Sequence, residues 1–259
     1  MRSTRVRTRT LASTVVALVL AVTAAGCGGS SRSASGGDTL TVFAAASLTE
    51  PFTELGKEFE AAHPGVHVVF SFAASSDLAA QVGQGAPADV LATASTATMQ
   101  QVGSSAEDIL DFASNRMEIA VPAKNPAQVR SLADLARKDV KVALCQAQVP
   151  CGTVAATVLK NAHLHLTPAT EEVDVRSVLT KVELGEVDAG IVYVSDVHTA
   201  PETVTGIPIP VAVNAVTTYP ISVLGTTQHQ QLADAFVALI TGSDGRSALS
   251  DAGFAAPRG

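Results

Sequence analysis

A turn of small and hydroxyl-bearing residues at positions 44–49, Ala-Ala-Ala-Ser-Leu-Thr, follows an apolar run at 40–43 and precedes an amphipathic helical pattern at 48–62. The first N–H groups of a helix have no acceptor inside that helix, and the helix dipole adds about half a positive charge there. A junction of this kind can therefore hold an anion without any lysine or arginine.

Three further segments repeat this arrangement of an apolar run, small or hydroxyl residues and a helical pattern. They lie at residues 71–78, 149–153 and 172–176. Because four separated helix starts have the same arrangement, we predict that they bind one shared anion.

Apolar runs of strand length alternate with helical patterns along the whole chain, which predicts an α/β fold with βαβ units and parallel sheets. Two α/β lobes with a ligand between them fit this pattern better than one sheet. The predicted strands are 39–43, 66–72, 89–92, 117–121, 141–144, 189–194, 207–213 and 219–224, and the predicted helices are 48–62, 78–83, 131–136, 152–162, 173–184 and 230–240.

The first 26 residues have the pattern of an export signal. Four arginines precede an apolar stretch, 11–25, that is too short to span a membrane. The segment ends in Ala24-Ala25-Gly26-Cys27, which resembles the lipobox of bacterial lipoproteins, so we expect Cys27 to be acylated on the outer face of the cytoplasmic membrane. The alternative is a soluble secreted protein cleaved nearby. Residues 27–38 are rich in Ser and Gly and predict a flexible tether.

Removal of the signal segment takes away four arginines and no acid, so the formal charge of the chain changes from −7 to −11. This acidity argues against a nucleic-acid partner. It does not argue against an anion ligand, because helix dipoles and backbone N–H groups act locally.

Two cysteines remain in the exported part, Cys145 and Cys151. Because disulfides persist outside the cytoplasm, we expect these two to pair, with two reduced thiols as the alternative. A CxxC redox motif or a zinc site would need closer or more numerous cysteines. His163 and His165 have no third ligand in view, so we expect no metal site and both side chains exposed to solvent.

Six motifs together resemble the molybdate-binding proteins of bacterial ABC importers, and the likeness covers the whole mature chain. The motifs are residues 42–49, 71–76, 85–90, 149–152, 172–176 and 190–196. The resemblance implies a type II periplasmic binding protein fold with two chain crossovers as its hinge and the ligand in the cleft between lobes. We expect one lobe from residues 39–117 and 222–259 and the other from 118–221. It also implies a monomeric, non-catalytic protein that delivers molybdate, and also tungstate, to a membrane permease.

The resemblance further implies which residues hold the anion. Ser47 and Ser75 would each give a hydroxyl and a backbone N–H, Cys151 and Val175 would each give a backbone N–H, and Tyr193 would give its phenol hydroxyl. The family usually has Ala at the position of Cys151, a change that a backbone contact tolerates.

Other roles for these residues stay open at this point. Ser47 and Ser75 could each be a helix N-cap, and Tyr193 could be a core residue with a satisfied hydroxyl. Arg176 is expected to pair with an acid rather than to touch the anion.

The chemistry of the predicted donors favours a fully deprotonated tetrahedral oxyanion such as molybdate, tungstate or sulfate, because such an ion only accepts hydrogen bonds. Phosphate keeps a proton near neutral pH and would want a carboxylate, for which Asp77 and Asp174 are the nearest candidates. The alternatives are a binding protein or sensor for another oxyanion such as sulfate, and, in a different class, a secreted serine hydrolase or phosphatase. No GxSxG, SxxK or P-loop pattern supports the second.

Overall fold

The computed structural model describes residues 38–257. The predicted signal peptide, Cys27 and nearly all of the predicted tether lie outside these residues. Within them the strands are β1 Asp38–Ala45, β2 Val66–Ala73, β3 Val90–Ala92, β4 Ala106–Pro122, β5 Val142–Cys145, β6 Thr170–Glu172, β7 Ala189–Tyr193, β8 Val204–Pro208 and β9 Val216–Leu224. The α-helices are α1 Thr49–Ala62, α2 Ser75–Gly83, α3 Thr96–Gln100, α4 Pro150–Asn161, α5 Val175–Glu183, α6 Val194–His198, α7 Gln230–Thr241 and α8 Ser243–Asp251.

The strands form two sheets that share the long strand β4. The first sheet has the order β2-β1-β3-β9-β4, with β1 parallel to both β2 and β3 and with β9 antiparallel to its neighbours. The second sheet has the order β4-β7-β5-β6, with β8 also paired to β4. The predicted α/β class with parallel strands is therefore confirmed.

β4 passes from one sheet to the other near residue 116. Its residues up to Arg116 pair with β9, and Met117 onward pairs with β7. After β8 in the second sheet, β9 returns the chain to the first sheet, where its residues Val216 to Leu224 all pair. The lobe limits predicted from sequence stay a prediction, and this register favours a return crossover near residue 215 rather than 221.

Each sheet has its own apolar core. In the core of the first sheet, Phe236 of α7 packs edge-on against Phe52 and Phe59 of α1. The second sheet buries mainly aliphatic side chains from β5, β7, α4 and α5. A third, smaller cluster around Leu78, Leu91 and Met99 lies on the first sheet. The ends of β1 and β7 and the start of α4 meet at the junction of the sheets.

Several elements differ from the sequence prediction. β4 is far longer than the predicted strand at 117–121, and its first part was missed because residues 107–111 are all exposed, show no alternation of apolar and polar side chains, and contain bulges. The predicted strand at 207–213 is wrong beyond Pro208, where Pro210 supplies no N–H for a ladder and a turn follows. The predicted helix at 173–184 begins instead at Val175, because Asp174 caps it. The short helices α3 and α6 and the helix α8 were not predicted.

Among residues 38–257, no helix is long and apolar enough to cross a membrane. The same residues contain no cluster of three or more His, Cys, Asp or Glu side chains arranged for a metal ion. His163 and His165 are exposed, as expected.

Candidate anion-binding site

A small pocket lies where the two sheets meet, with about 240 Å³ of empty space including its opening. All five predicted ligand residues line it. Its full lining is Ala45, Ala46, Ser47, Ala73, Ala74, Ser75, Ala94, Val149, Pro150, Cys151, Asp174, Val175 and Tyr193. The side chains around the five candidates are mostly Ala, Val and Pro, so polar contacts to a ligand would come from a few hydroxyls and backbone N–H groups.

Ser47 lies in a short 3₁₀ helix, Ala46–Leu48, between β1 and α1. It is buried, and it is not the N-cap of either helix. Its Oγ lies 2.9 Å from the hydroxyl oxygen of Tyr219. The capping role that the sequence left open is therefore wrong for this serine.

Ser75 is the first residue of α2, where the preceding Ala74 is the N-cap and makes no side-chain capping bond. Its N–H is one of those for which the helix has no acceptor. Its Oγ accepts a hydrogen bond from the backbone N–H of Ala94 at 3.0 Å. Ser75 is therefore not the N-cap that sequence alone allowed, and its hydroxyl hydrogen is not used by the bond from Ala94.

Cys151 is the second residue of α4, after Pro150, so its N–H also has no acceptor inside the helix. It forms a disulfide with Cys145, as predicted. Gly152 explains how closely this loop approaches the helix, because a Cβ at that position would clash with the carbonyl oxygen of Gln146. The disulfide and the glycine together fix the loop before α4 against the start of that helix.

Val175 begins α5, and Asp174 is its N-cap. The Asp174 carboxylate accepts a hydrogen bond from the Ser177 N–H at 2.8 Å. This capping role serves the third residue of the helix and leaves the N–H of Val175 without an intrahelical acceptor.

Tyr193 ends β7 and is fully buried, yet its hydroxyl has no hydrogen-bond partner among the described residues. Burial, followed by the neighbouring Tyr219 and Asp196, holds the pKa of Tyr193 well above its usual range. The phenol therefore keeps its proton, and its O–H can donate a hydrogen bond to a ligand. A buried hydroxyl without a partner costs about 1–3 kcal/mol, which a bound acceptor would remove.

Asp196 supports Tyr193 from α6, where its Oδ2 accepts a hydrogen bond from the Tyr193 N–H at 2.8 Å. The carboxyl group is buried, and its Oδ1 has no partner among residues 38–257. Burial raises the pKa of Asp196 to about 7, partly opposed by the bond from Tyr193 and by the charge of Arg176.

Arg176, the cation that follows Val175 in sequence, is paired with an acid, as expected. Its Nη2 lies 2.8 Å from Oε1 of Glu50, and its Nη1 donates to Oγ1 of Thr199 at 2.7 Å. No lysine or arginine is among the described residues that line the pocket. Any anion held there would rely on hydroxyls, N–H groups and helix dipoles.

Sequence reasoning missed Ala94, which lines the pocket, and four residues behind the pocket wall: Tyr219, Thr217, Asp196 and Glu50. One compositional signal pointed to Tyr219, since the chain has no tryptophan and only two tyrosines. Both tyrosines are buried at this site, with their ring centroids 6.1 Å apart.

Comparison with known proteins agrees with this architecture. Residues 40–255 match the model of a family described as bacterial extracellular solute-binding protein. The chain belongs to this family. Solute-binding proteins of this kind are non-enzymatic components of transport that act outside the cytoplasm.

One sequence relative and two solved structures illustrate this similarity. The molybdate-binding protein ModA of Mycobacterium tuberculosis is 43% identical over 256 residues, covering 95% of this chain and 98% of that protein. The substrate-binding domain of a putative molybdenum ABC transporter from Clostridium difficile aligns with a TM-score of 0.65 and 26% identity, over 85% of this chain and 99% of that one. The periplasmic molybdate-binding protein of Azotobacter vinelandii aligns with a TM-score of 0.74 at 18% identity, over 85% of this chain and 100% of that one. The predicted two-lobe solute-binding fold is thereby confirmed.

Proposed function

We propose that this protein binds molybdate, and also tungstate, outside the cytoplasmic membrane and delivers it to the permease of an ABC importer. The observation that carries the proposal is the buried Tyr193 hydroxyl, which has no partner and lines one pocket together with Ser47, Ser75, Cys151 and Val175. The 43% identity to a molybdate-binding protein over nearly the whole chain supports the same ligand.

The donor set suits an ion that only accepts hydrogen bonds. The hydroxyls of two serines and one tyrosine and the N–H groups of four residues offer about seven donors, and each bond to a charged acceptor contributes about 1.5–3 kcal/mol. That sum is large enough to offset the desolvation of a dianion. The one carboxylate in the lining, Asp174, is already engaged at the start of α5, which disfavours protonated phosphate.

Titration calorimetry with molybdate, tungstate, sulfate and phosphate tests the proposal. We expect similar affinities for molybdate and tungstate and far weaker binding of sulfate, because sulfate is smaller. Molybdate at a hundredfold excess over its Kd should raise the free energy of unfolding by about 2.7 kcal/mol. If millimolar molybdate leaves the melting temperature unmoved while a sugar or peptide raises it, the proposal is wrong. Tighter binding of sulfate would favour the alternative oxyanion instead.

An assay for turnover separates this function from the hydrolase alternative. Chromogenic carboxylic and phosphate esters should remain intact in the presence of the purified protein while molybdate binds saturably. Hydrolysis that disappears in Ser47→Ala or Ser75→Ala would favour an enzyme. Genes for a permease and an ATPase beside this one would favour transport over a sensor.

We also propose that the protein is a lipoprotein attached through Cys27, which lies outside the described residues. Labelling of cells with a fatty-acid analogue should mark the wild-type protein and leave Cys27→Ser unmarked. Equal labelling of both proteins would contradict the attachment, and it would leave the binding function untouched.

A further inference from the structure

We propose that two residues on one face of β9 orient the serine hydroxyls so that they donate hydrogen bonds to the bound oxyanion. Tyr219 orients Ser47, and Thr217 orients Ser75 through Ala94. Neither Tyr219 nor Thr217 lines the pocket, so both would act as positioning residues through the serines. The inference rests on the proposed function, and it adds two residues that the five-residue ligand set does not contain.

The contact between Tyr219 and Ser47 has two possible directions. A serine hydroxyl has one hydrogen and two acceptor lone pairs. If Ser47 donates to Tyr219, it has no hydrogen left for the anion. An ion that offers only acceptors therefore selects the arrangement in which the Tyr219 phenol donates to Ser47 Oγ, at 2.9 Å, and Ser47 donates to the ion.

The surroundings of Tyr219 suit a fixed donor. The side chain is completely buried, and its ring packs edge-on against Phe112 and Phe254 with centroid distances of 6.3 and 5.2 Å. Burial raises the pKa of Tyr219 far above its usual value, so the phenol keeps its proton. A rigid, protonated phenol can hold the Ser47 oxygen in one orientation.

Ser75 is oriented by a backbone group. The N–H of Ala94 can only donate, so its bond to Ser75 Oγ occupies a lone pair and leaves the hydroxyl hydrogen for the ligand. The carbonyl of Ala94 in turn accepts a hydrogen bond from Thr217 Oγ1. Thr217 and Tyr219 are two positions apart on β9 and therefore point to the same face of the sheet.

A double-mutant cycle tests the arm through Tyr219. Molybdate affinity is measured by calorimetry for wild type, Tyr219→Phe, Ser47→Ala and the double variant. We expect Ser47→Ala to weaken binding at least about tenfold and Tyr219→Phe about three- to tenfold. In the Ser47→Ala background, Tyr219→Phe should cost less than about twofold, because the group on which it acts has gone.

Ser75→Ala provides the matched control background. Tyr219→Phe should retain its full cost there, since Ser75 is held by Ala94 and not by Tyr219. A cost of Tyr219→Phe that is the same in the wild-type, Ser47→Ala and Ser75→Ala backgrounds would overturn the inference and indicate a general structural role. If wild type fails to bind molybdate, the proposed function itself fails and the inference with it. If wild type binds but Ser47→Ala does not weaken binding, the serine assignment fails.

The arm through Thr217 gives an independent test if Tyr219→Phe does not fold, with circular dichroism and melting as the folding check. Thr217→Val removes the hydroxyl at nearly constant volume. Its cost to molybdate affinity should vanish in the Ser75→Ala background and persist in the Ser47→Ala background. The reverse pattern, or an equal cost in both, would overturn this arm.

Discussion

Arg176 and Glu50 form an ion pair, with Nη2 and Oε1 2.8 Å apart, that joins the first turn of α5 to the first turn of α1. The two helices pack against different sheets, and each begins beside a residue of the candidate anion site, Val175 and Ser47. The pair thus links the two sides of the pocket next to its donors. It also neutralises a carboxylate that would otherwise repel an anion.

Arg176→Gln should weaken molybdate binding about fivefold at low ionic strength, because Glu50 is then left as an unpaired negative charge near a dianion. The loss should shrink as salt is added, and Glu50→Gln in the same chain should recover most of it. Arg137→Gln is the matched control, since it breaks the exposed Arg137–Asp139 pair, which is 2.7 Å long and does not line the pocket. Unchanged affinity of Arg176→Gln at low salt would contradict this role.

Val175 should matter through its N–H and hardly through its side chain. Val175→Ala should keep most of the affinity, whereas Val175→Pro should lose one charge-assisted bond and at least about tenfold in binding. The fold should survive, because proline is tolerated at the first position of a helix and Pro150 already occupies that position in α4. Calorimetry measures the affinities, with circular dichroism as the folding control. A folded proline variant that binds like wild type would remove Val175 from the ligand set.

The Cys145–Cys151 disulfide should contribute stability more than affinity. Replacement of both cysteines by Ala should lower the free energy of unfolding by about 2 kcal/mol, because the loop they close is short. Binding should persist, since the predicted contact of Cys151 is its backbone N–H. Denaturant unfolding and calorimetry measure the two effects, and mass spectrometry of a non-reduced digest checks the pairing. A complete loss of molybdate binding in a folded double variant would show that the bond shapes the site.

Asp196 should make both stability and binding depend on pH. The folded protein keeps this proton until the pH reaches about 7, whereas the unfolded chain loses it near 3.8. The stability contribution of the protonated form is therefore complete below about pH 4 and declines as the pH rises through 7. A dianion bound beside Tyr193 would raise the pKa of Asp196 further, so binding near neutral pH should take up a proton and weaken as the pH increases.

Calorimetry in two buffers of different ionisation enthalpy measures this proton uptake. Asp196→Asn keeps an oxygen for the Tyr193 N–H and should abolish both the uptake and the decline of stability between about pH 4 and 7. The other charged groups that act on Asp196, namely Arg176, Glu50 and Asp174, remain in that variant. Proton uptake equal to that of wild type in Asp196→Asn would assign the effect to another group.

The sequence by itself determined the features that depend on local pattern. Strand–turn–helix junctions at Ser47, Ser75, Cys151 and Val175 could be located because apolar runs, small residues and helical periodicity are each encoded within a few positions. The pairing of Cys145 with Cys151 followed from their number and compartment. The predicted donors came from the resemblance that these motifs carry, and the expectation of an oxyanion came from the hydroxyl and N–H chemistry of those donors.

Only the tertiary structure decided what surrounds those donors. Tyr219 lies 172 positions from Ser47, and Glu50 lies 126 from Arg176, so no local pattern could indicate that they meet. The first part of β4 could not be predicted from the sequence, because its exposed residues have no hydrophobic period of their own. These residues are held in the strand by their pairing with β9. Burial of Tyr193 and Asp196, and hence the protonation of both, depends on packing between distant elements. Short-range chemistry therefore places the donors in the chain, and long-range packing fixes their orientation and charge.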